Sequence, residues 1–258
     1  MKKIMMILVC LGMVLVLSSC KKEEEKPDVN KQDVIVNNDI TKLEDLTDSD
    51  FDITKWSLVD IPYVFLERLS RLTNYKKETK GATIAKAIIK YTQTIDDVFI
   101  NTESEKHLIT KSSSLLVKVY HEAYFNDVVS YRDSEKDEFS SLSIEEYEAT
   151  YGYLPYGYYL EGFVLNKDSV LSVTKIEDNK YELTLDGEVG GSHRKTQMIK
   201  YGSLNGTPTF ISVKIIITIN NDFTPVTVEV SCVYDVNYPV LGTTRCNEDY
   251  VASYYFNE

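Results

Sequence analysis

The clearest pattern lies at the C-terminal end of the chain. In TFISVKIIITI (209–219) the odd positions Ile211, Val213, Ile215, Ile217 and Ile219 are all apolar. In PVTVEVSCVYDV (225–236) the even positions Val226, Val228, Val230, Cys232, Tyr234 and Val236 are apolar. A period of two with one apolar side marks a strand with one buried face. Asn220-Asn221-Asp222-Phe223-Thr224 supplies turn residues between the runs, so they predict an antiparallel hairpin. A third strand is expected from Thr243 to Phe256. Cys246, Tyr250, Ala252, Tyr254 and Phe256 carry its apolar side, with Glu248 as the exception. The loop Tyr238-Pro239-Val240-Leu241-Gly242 joins it to the second strand.

Further upstream the period changes. After Asp60 and Pro62, the residues Val64, Phe65, Leu69 and Leu72 recur at helical spacing, with Glu67, Arg68 and Arg71 on other faces. That is an amphipathic helix with proline tolerated in its first turn, and Gly81 is the expected end of the segment. Residues 82–100 fit a helix through Ile84, Ile88 and Tyr91, but their β-branched content and TQT run favour strand. Leu115 to Phe125 alternates as a strand. Ser143-Ile144-Glu145-Glu146 is a capping box that opens a helix to about Tyr151. Lys180 to Asp186 alternates again, and Ser192 to Tyr201 fits a second short helix. Residues 151–162 read YGYLPYGYYLEG. A helix stop at Gly152, a turn at Pro155-Tyr156-Gly157 and a strand entry at Tyr158 account for the glycines and the proline. The tyrosines are expected in a core or at the rim of a cavity; the other use is an exposed aromatic platform.

Composition then adds location. Lys2 and Lys3 precede an apolar run from Ile4 to Leu17, which reads as a secretory signal peptide. Its end, Leu17-Ser18-Ser19-Cys20, resembles the bacterial lipobox, in which the cysteine receives lipid. Residues 1–19 are thus expected to be a lipoprotein signal peptide and Cys20 the lipidation site, tying the chain to a membrane. Residues 20–50 are polar and acidic and read as a flexible tether. Lys22-Glu23-Glu24 resembles the signal that sends some lipoproteins to the outer surface, though an ordinary solvated charge run is the plainer reading. Residues 51–258 are then expected to form a single α+β domain. Loss of the leader takes the formal net charge from −12 to −14. An acidic chain with no basic patch gains nothing from the phosphate attraction that drives nucleic-acid binding.

Four cysteines are present; Cys10 leaves with the leader and Cys20 takes the lipid, leaving Cys232 and Cys246. A hairpin centred on Pro239 would set position 232 opposite 246 on one face. A Cys232–Cys246 disulfide and two buried thiols are the two readings.

Catalytic signals are weak. His107, His121 and His193 form no H-x-x-x-H pair, so a zinc hydrolase is not indicated. Asp48, Asp50 and Asp52 imitate the start of a calcium loop, but Ile53 and Val59 stand where glycine and glutamate belong. Ser192 to Lys195 and Ser172 to Lys175 both fit S-x-x-K, with no companion K-T-G or S-D-N. No catalytic residue, metal or cofactor is assigned.

An anchored leader, an early amphipathic helix, long antiparallel strands, short interrupting helices and a closing β-meander together resemble the LolA/LppX class of bacterial lipoproteins and lipoprotein carriers. The resemblance implies a curved antiparallel sheet, a half-barrel, packed on a few short helices around an apolar cavity. It implies non-covalent binding of a lipid or acyl chain, with Leu66, Leu69, Ile215, Ile217, Val228 and Tyr234 expected in the lining. The alternative is a surface-interaction or glycan-binding lipoprotein whose platform is Tyr153, Tyr156 and Tyr158.

Overall fold

The structure, a computed structural model, describes residues 33–36, 39–72, 74–85, 89–99, 105–113, 118–125, 127–151, 162–201, 207–238 and 242–256. Cys20 and the leader lie outside these residues, as do Tyr153, Tyr156 and Tyr158. A short hairpin, β1 (Asp33–Val36) and β2 (Asp39–Lys42), precedes the main body. Helix α1 (Ile61–Arg71) follows, with Asp60 preceding it and Pro62 in its first turn. Then come β3 (Tyr75–Ala85), β4 (Ile89–Phe99), β5 (Glu105–Ser113), β6 (Lys118–Phe125), β7 (Val129–Arg132) and β8 (Ser140–Leu142). Helix α2 (Ile144–Tyr151) separates these from β9 (Val170–Glu177) and β10 (Lys180–Leu185). Helices α3 (Gly187–Gly190) and α4 (Ser192–Tyr201) precede β11 (Thr209–Ile219), β12 (Pro225–Tyr238) and β13 (Gly242–Phe256).

Eleven strands form one antiparallel sheet in the order β8-β7-β6-β5-β4-β3-β13-β12-β11-β10-β9. The sheet is curved and does not close, since β8 and β9 are its two edges. It consists of two meanders, β3–β8 and β9–β13, joined where β3 pairs with β13. The fold is therefore α+β, a half-barrel sheet with a few short helices.

The C-terminal hairpins follow the alternating pattern except at bulges. Val213, Ile215, Ile217 and Ile219 are buried, as expected, but Ile211 is 48% exposed and Phe210 points inward instead. The register slips between Phe210 and Ser212, and an extra residue there reverses the inside–outside parity. Val226 is exposed for the same reason, because a second slip leaves it between Thr227 and Pro225 in the pairing with β11.

Three sequence expectations change. Helix α1 ends at Arg71, not near Gly81, because Leu72 is already extended and Gly81 lies inside β3. Residues 82–100 are not one strand but hold the end of β3 and all of β4, paired with each other. The packed body also begins before residue 51: Leu43 and Leu46 belong to the main core. Two isolated leucines in an acidic run carry no periodic signal, yet the structure holds them firmly. Arg71 donates to the carbonyl oxygens of Leu46 at 2.6 Å and Leu43 at 3.2 Å. Its Nε donates to Glu67 Oε1 at 2.6 Å, so one guanidinium pins the incoming chain to α1.

Candidate ligand site on the inner face of the sheet

The inner face of β10–β13 is a continuous apolar surface. Pairing sets Ile215 beside Leu183 and Val230, and Ile217 beside Tyr181 and Val228. Leu66 of α1 joins the same core, and Leu69 packs at its edge. Five of the six residues expected to line a cavity, Leu66, Ile215, Ile217, Val228 and Tyr234, are buried together there.

Beyond Val230 this face turns polar. Cys232 and Tyr234 of β12 and Cys246 and Tyr250 of β13 are all buried. Glu248 has the same parity as Cys246 and Tyr250, so the exception in the strand pattern faces inward among them. Its partner comes from α4. Arg194 Nη2 donates to Glu248 Oε1 at 2.7 Å, with the two side chains 28% and 12% exposed. A charge pair survives on an apolar face only when its donors and acceptors are matched. Glu248 Oε2 also accepts a long contact from Cys232 Sγ at 3.9 Å.

Helix α4 reaches this position because α3 packs tightly on β11. Asp186 Oδ1 caps α3 by accepting from the amides of Glu188 and Val189 at 2.9 and 2.8 Å. At Gly191, between the two helices, a Cβ would come within 2.6 Å of the Phe210 ring, so only glycine lets the backbone sit that close. Of α4's described side chains none is fully buried; Met198 is the one that packs partly against the core.

The electrostatics follow from burial. The Glu248 carboxylate holds the Arg194 guanidinium above its ordinary range. Burial first, then Glu248, pushes the Cys232 thiol and the Tyr234 phenol up. Burial likewise raises the Cys246 thiol. Thiols kept protonated are poor nucleophiles at neutral pH. Neither Cys232 nor Cys246 is an activated nucleophile here.

The expected Cys232–Cys246 disulfide is corrected. The hairpin is centred on Val240, so Cys232 lies opposite Glu248 and Cys246 opposite Tyr234. Gly242, with a left-handed φ of 64°, pairs with Tyr238 at the end of this ladder. The cysteines become diagonal neighbours, typically about 7–8 Å apart, whereas bridged cysteines have Cα atoms about 4.4–6.8 Å apart. Both are free, buried thiols.

The other motifs resolve into local structure. Asp50 accepts from the Thr47 amide and hydroxyl, Asp52 caps Thr54, and Asp48 faces Arg68. Lys175 pairs with Asp178 at 2.8 Å, while Ser192 donates to the Val189 carbonyl. Among the described residues, no group of three or more His, Cys, Asp or Glu is placed to hold a metal ion. Sequence reading missed Arg194. Its one clue was Glu248, a lone acid on an apolar parity, but the partner lies 54 residues away.

Fold and site together define an α+β protein with an open, curved antiparallel sheet, an apolar inner face and one charged pair set into it. No protein-family model and no curated protein matches the chain. Among solved structures it is similar to the LolA superfamily protein NE2245 from Nitrosomonas europaea. That alignment has 11% identity, covers 75% of this chain and 92% of that one, and has a TM-score of 0.28. The S-type phycobiliprotein lyase CPES from Guillardia theta aligns at 8% identity over 75% of this chain and 92% of that one, with a TM-score of 0.26. A de novo designed transmembrane β-barrel aligns at 4% identity over 72% of this chain and 98% of that one, also with a TM-score of 0.26. At such scores the likenesses carry no argument; strand order and side chains do.

Proposed function

We propose that this protein is an exported, lipid-anchored binder of a lipid or other hydrophobic ligand and carries out no chemistry of its own. The observation that supports this best is the inner face of the open sheet, apolar from β10 to β13 and interrupted there by the Arg194–Glu248 pair. An apolar surface with a few placed polar groups is what a hydrophobic ligand requires of its site. The leader ending in Leu17-Ser18-Ser19-Cys20 supports anchorage of the chain to a bacterial membrane through lipid on Cys20, in the cell envelope. The acidic balance argues against nucleic acid as a partner.

Native mass spectrometry of the full-length protein, ejected from detergent, tests the reading. The expected result is a bound species of lipid or fatty-acid mass, or its uptake on addition of palmitate. A clean unliganded mass with no uptake would overturn it.

A further inference from the structure

The hydrophobic-ligand reading leaves the chemistry of the ligand's head group open, and the inner face bears on it. Arg194 is the feature that an apolar binding face does not require. A guanidinium presents five N–H donors in a planar fork. Glu248 Oε1 takes Nη2 at 2.7 Å, yet Nε is buried and has no hydrogen-bond partner among the described residues. A donor with its own planar edge, half of it unmatched, suits the two oxygens of a carboxylate or phosphate. The Arg194 side chain is 28% exposed while its Nε is buried, so a ligand oxygen reaches Nε only when the covering side chains give way.

The surroundings suit a tail as well as a head. Glu248 lies opposite Cys232, and from there the inner row of β12 runs through Val230 to Val228, all buried. An amphiphile with its oxyanion at Arg194 would lay its chain along that row. The overall charge works against anions in general: with a formal net charge of −12, the long-range field repels them. Any preference for an anion must therefore be local.

We infer that Arg194 is the head-group site for an anionic amphiphile, an oxyanion on an apolar chain, and that Glu248 holds the guanidinium in place until the ligand shares it. This rests on the hydrophobic-ligand reading above and adds the charge of the head group to it.

The test compares octanoate, octyl phosphate and octanol, titrated by calorimetry into the full-length protein in nanodiscs. One of the anions should bind about tenfold or more tighter than octanol, and whichever does so names the oxyanion. Arg194→Met should bring that ratio to within about twofold while octanol still binds. If this variant does not fold, Arg194→Lys, which keeps the charge and loses the fork, should lower the ratio by about threefold or more. Glu248→Gln removes the competing carboxylate, so the better anion should raise Tm more than it does in the wild type. Octanol binding with no preference for either anion, or a preference that survives the Arg194 variants, overturns this inference alone. Absence of saturable binding by all three overturns it together with the hydrophobic-ligand reading.

Discussion

At the scale of single residues, the fold places several side chains against their ordinary preferences. Phe223 is one of three non-glycine residues with a positive φ among the described residues, at 63°, and its ring is fully buried. It sits in the turn between β11 and β12, where its amide donates to the Asn220 carbonyl at 3.0 Å. Its ring meets Phe51 edge-on at 6.5 Å, so the turn and the N-terminal segment share one core contact. Burial holds a backbone that an L-residue disfavours by about 1–2 kcal/mol. Phe223→Ala should cost about 3–5 kcal/mol, since the cavity appears and the strain stays. Phe223→Gly should be less damaging than alanine by about 1 kcal/mol, the reverse of the usual order in strands. Urea denaturation of the two variants checks this, and an alanine variant as stable as the glycine one would refute it.

At the scale of elements, the seam between β3 and β13 joins two meanders into one sheet. Gly81 of β3 lies opposite Tyr250, and a Cβ there would stand 2.5 Å from the Tyr250 Cβ. In most strands glycine to alanine is favourable by about 0.5–1 kcal/mol. Here the strands must move apart, so Gly81→Ala should destabilise by about 1–3 kcal/mol. In a domain of this size that lowers Tm by about 2–4 °C per kcal/mol. An unchanged or raised Tm would show that the seam has slack. The β9 edge is managed differently. Leu171 and Ile176 are the exposed apolar residues of β9, and both fall where its register with β10 slips. Bulges at both ends of an edge strand twist it away from pairing with another chain.

At the scale of the whole molecule, the buried phenols and thiols set the alkaline limit of stability. Tyr63 is pushed up to about 12 by burial first, then by Asp60 and Asp168. Cys232, Cys246, Tyr181 and Tyr234 shift in the same direction, from ordinary values of 9.0 for the thiols and 10.0 for the phenols. A raised folded-state value means that the native protein keeps protons the unfolded chain has lost. The stability is therefore full below about pH 9 and falls as pH rises, by up to about 1.4 kcal/mol per pH unit for each group. Tyr63→Phe removes one such group, and its denaturation profile should lie flatter than the wild type between pH 10 and 12. Parallel profiles over that window would contradict the assignment.

Alternation along 209–219, 225–236 and 243–256, the amphipathic run after Asp60 and the capping box at Ser143 needed only neighbours in the chain, so those strands and helices and the antiparallel α+β class were legible from residue order. Pattern could not count residues through a bulge, which is why Ile211 and Val226 face outward. It could not place the hairpin centre, because Tyr238 pairs with Gly242, and the disulfide went with that register. Leu43 and Leu46 entered the core through Arg71, a contact made 28 and 25 residues along the chain. Glu248 looked like a flaw in a strand until Arg194 met it. Periodicity reports which side of an element is apolar; tertiary packing alone decides what that side meets, because the partners are distant in sequence and near only after the sheet has curved.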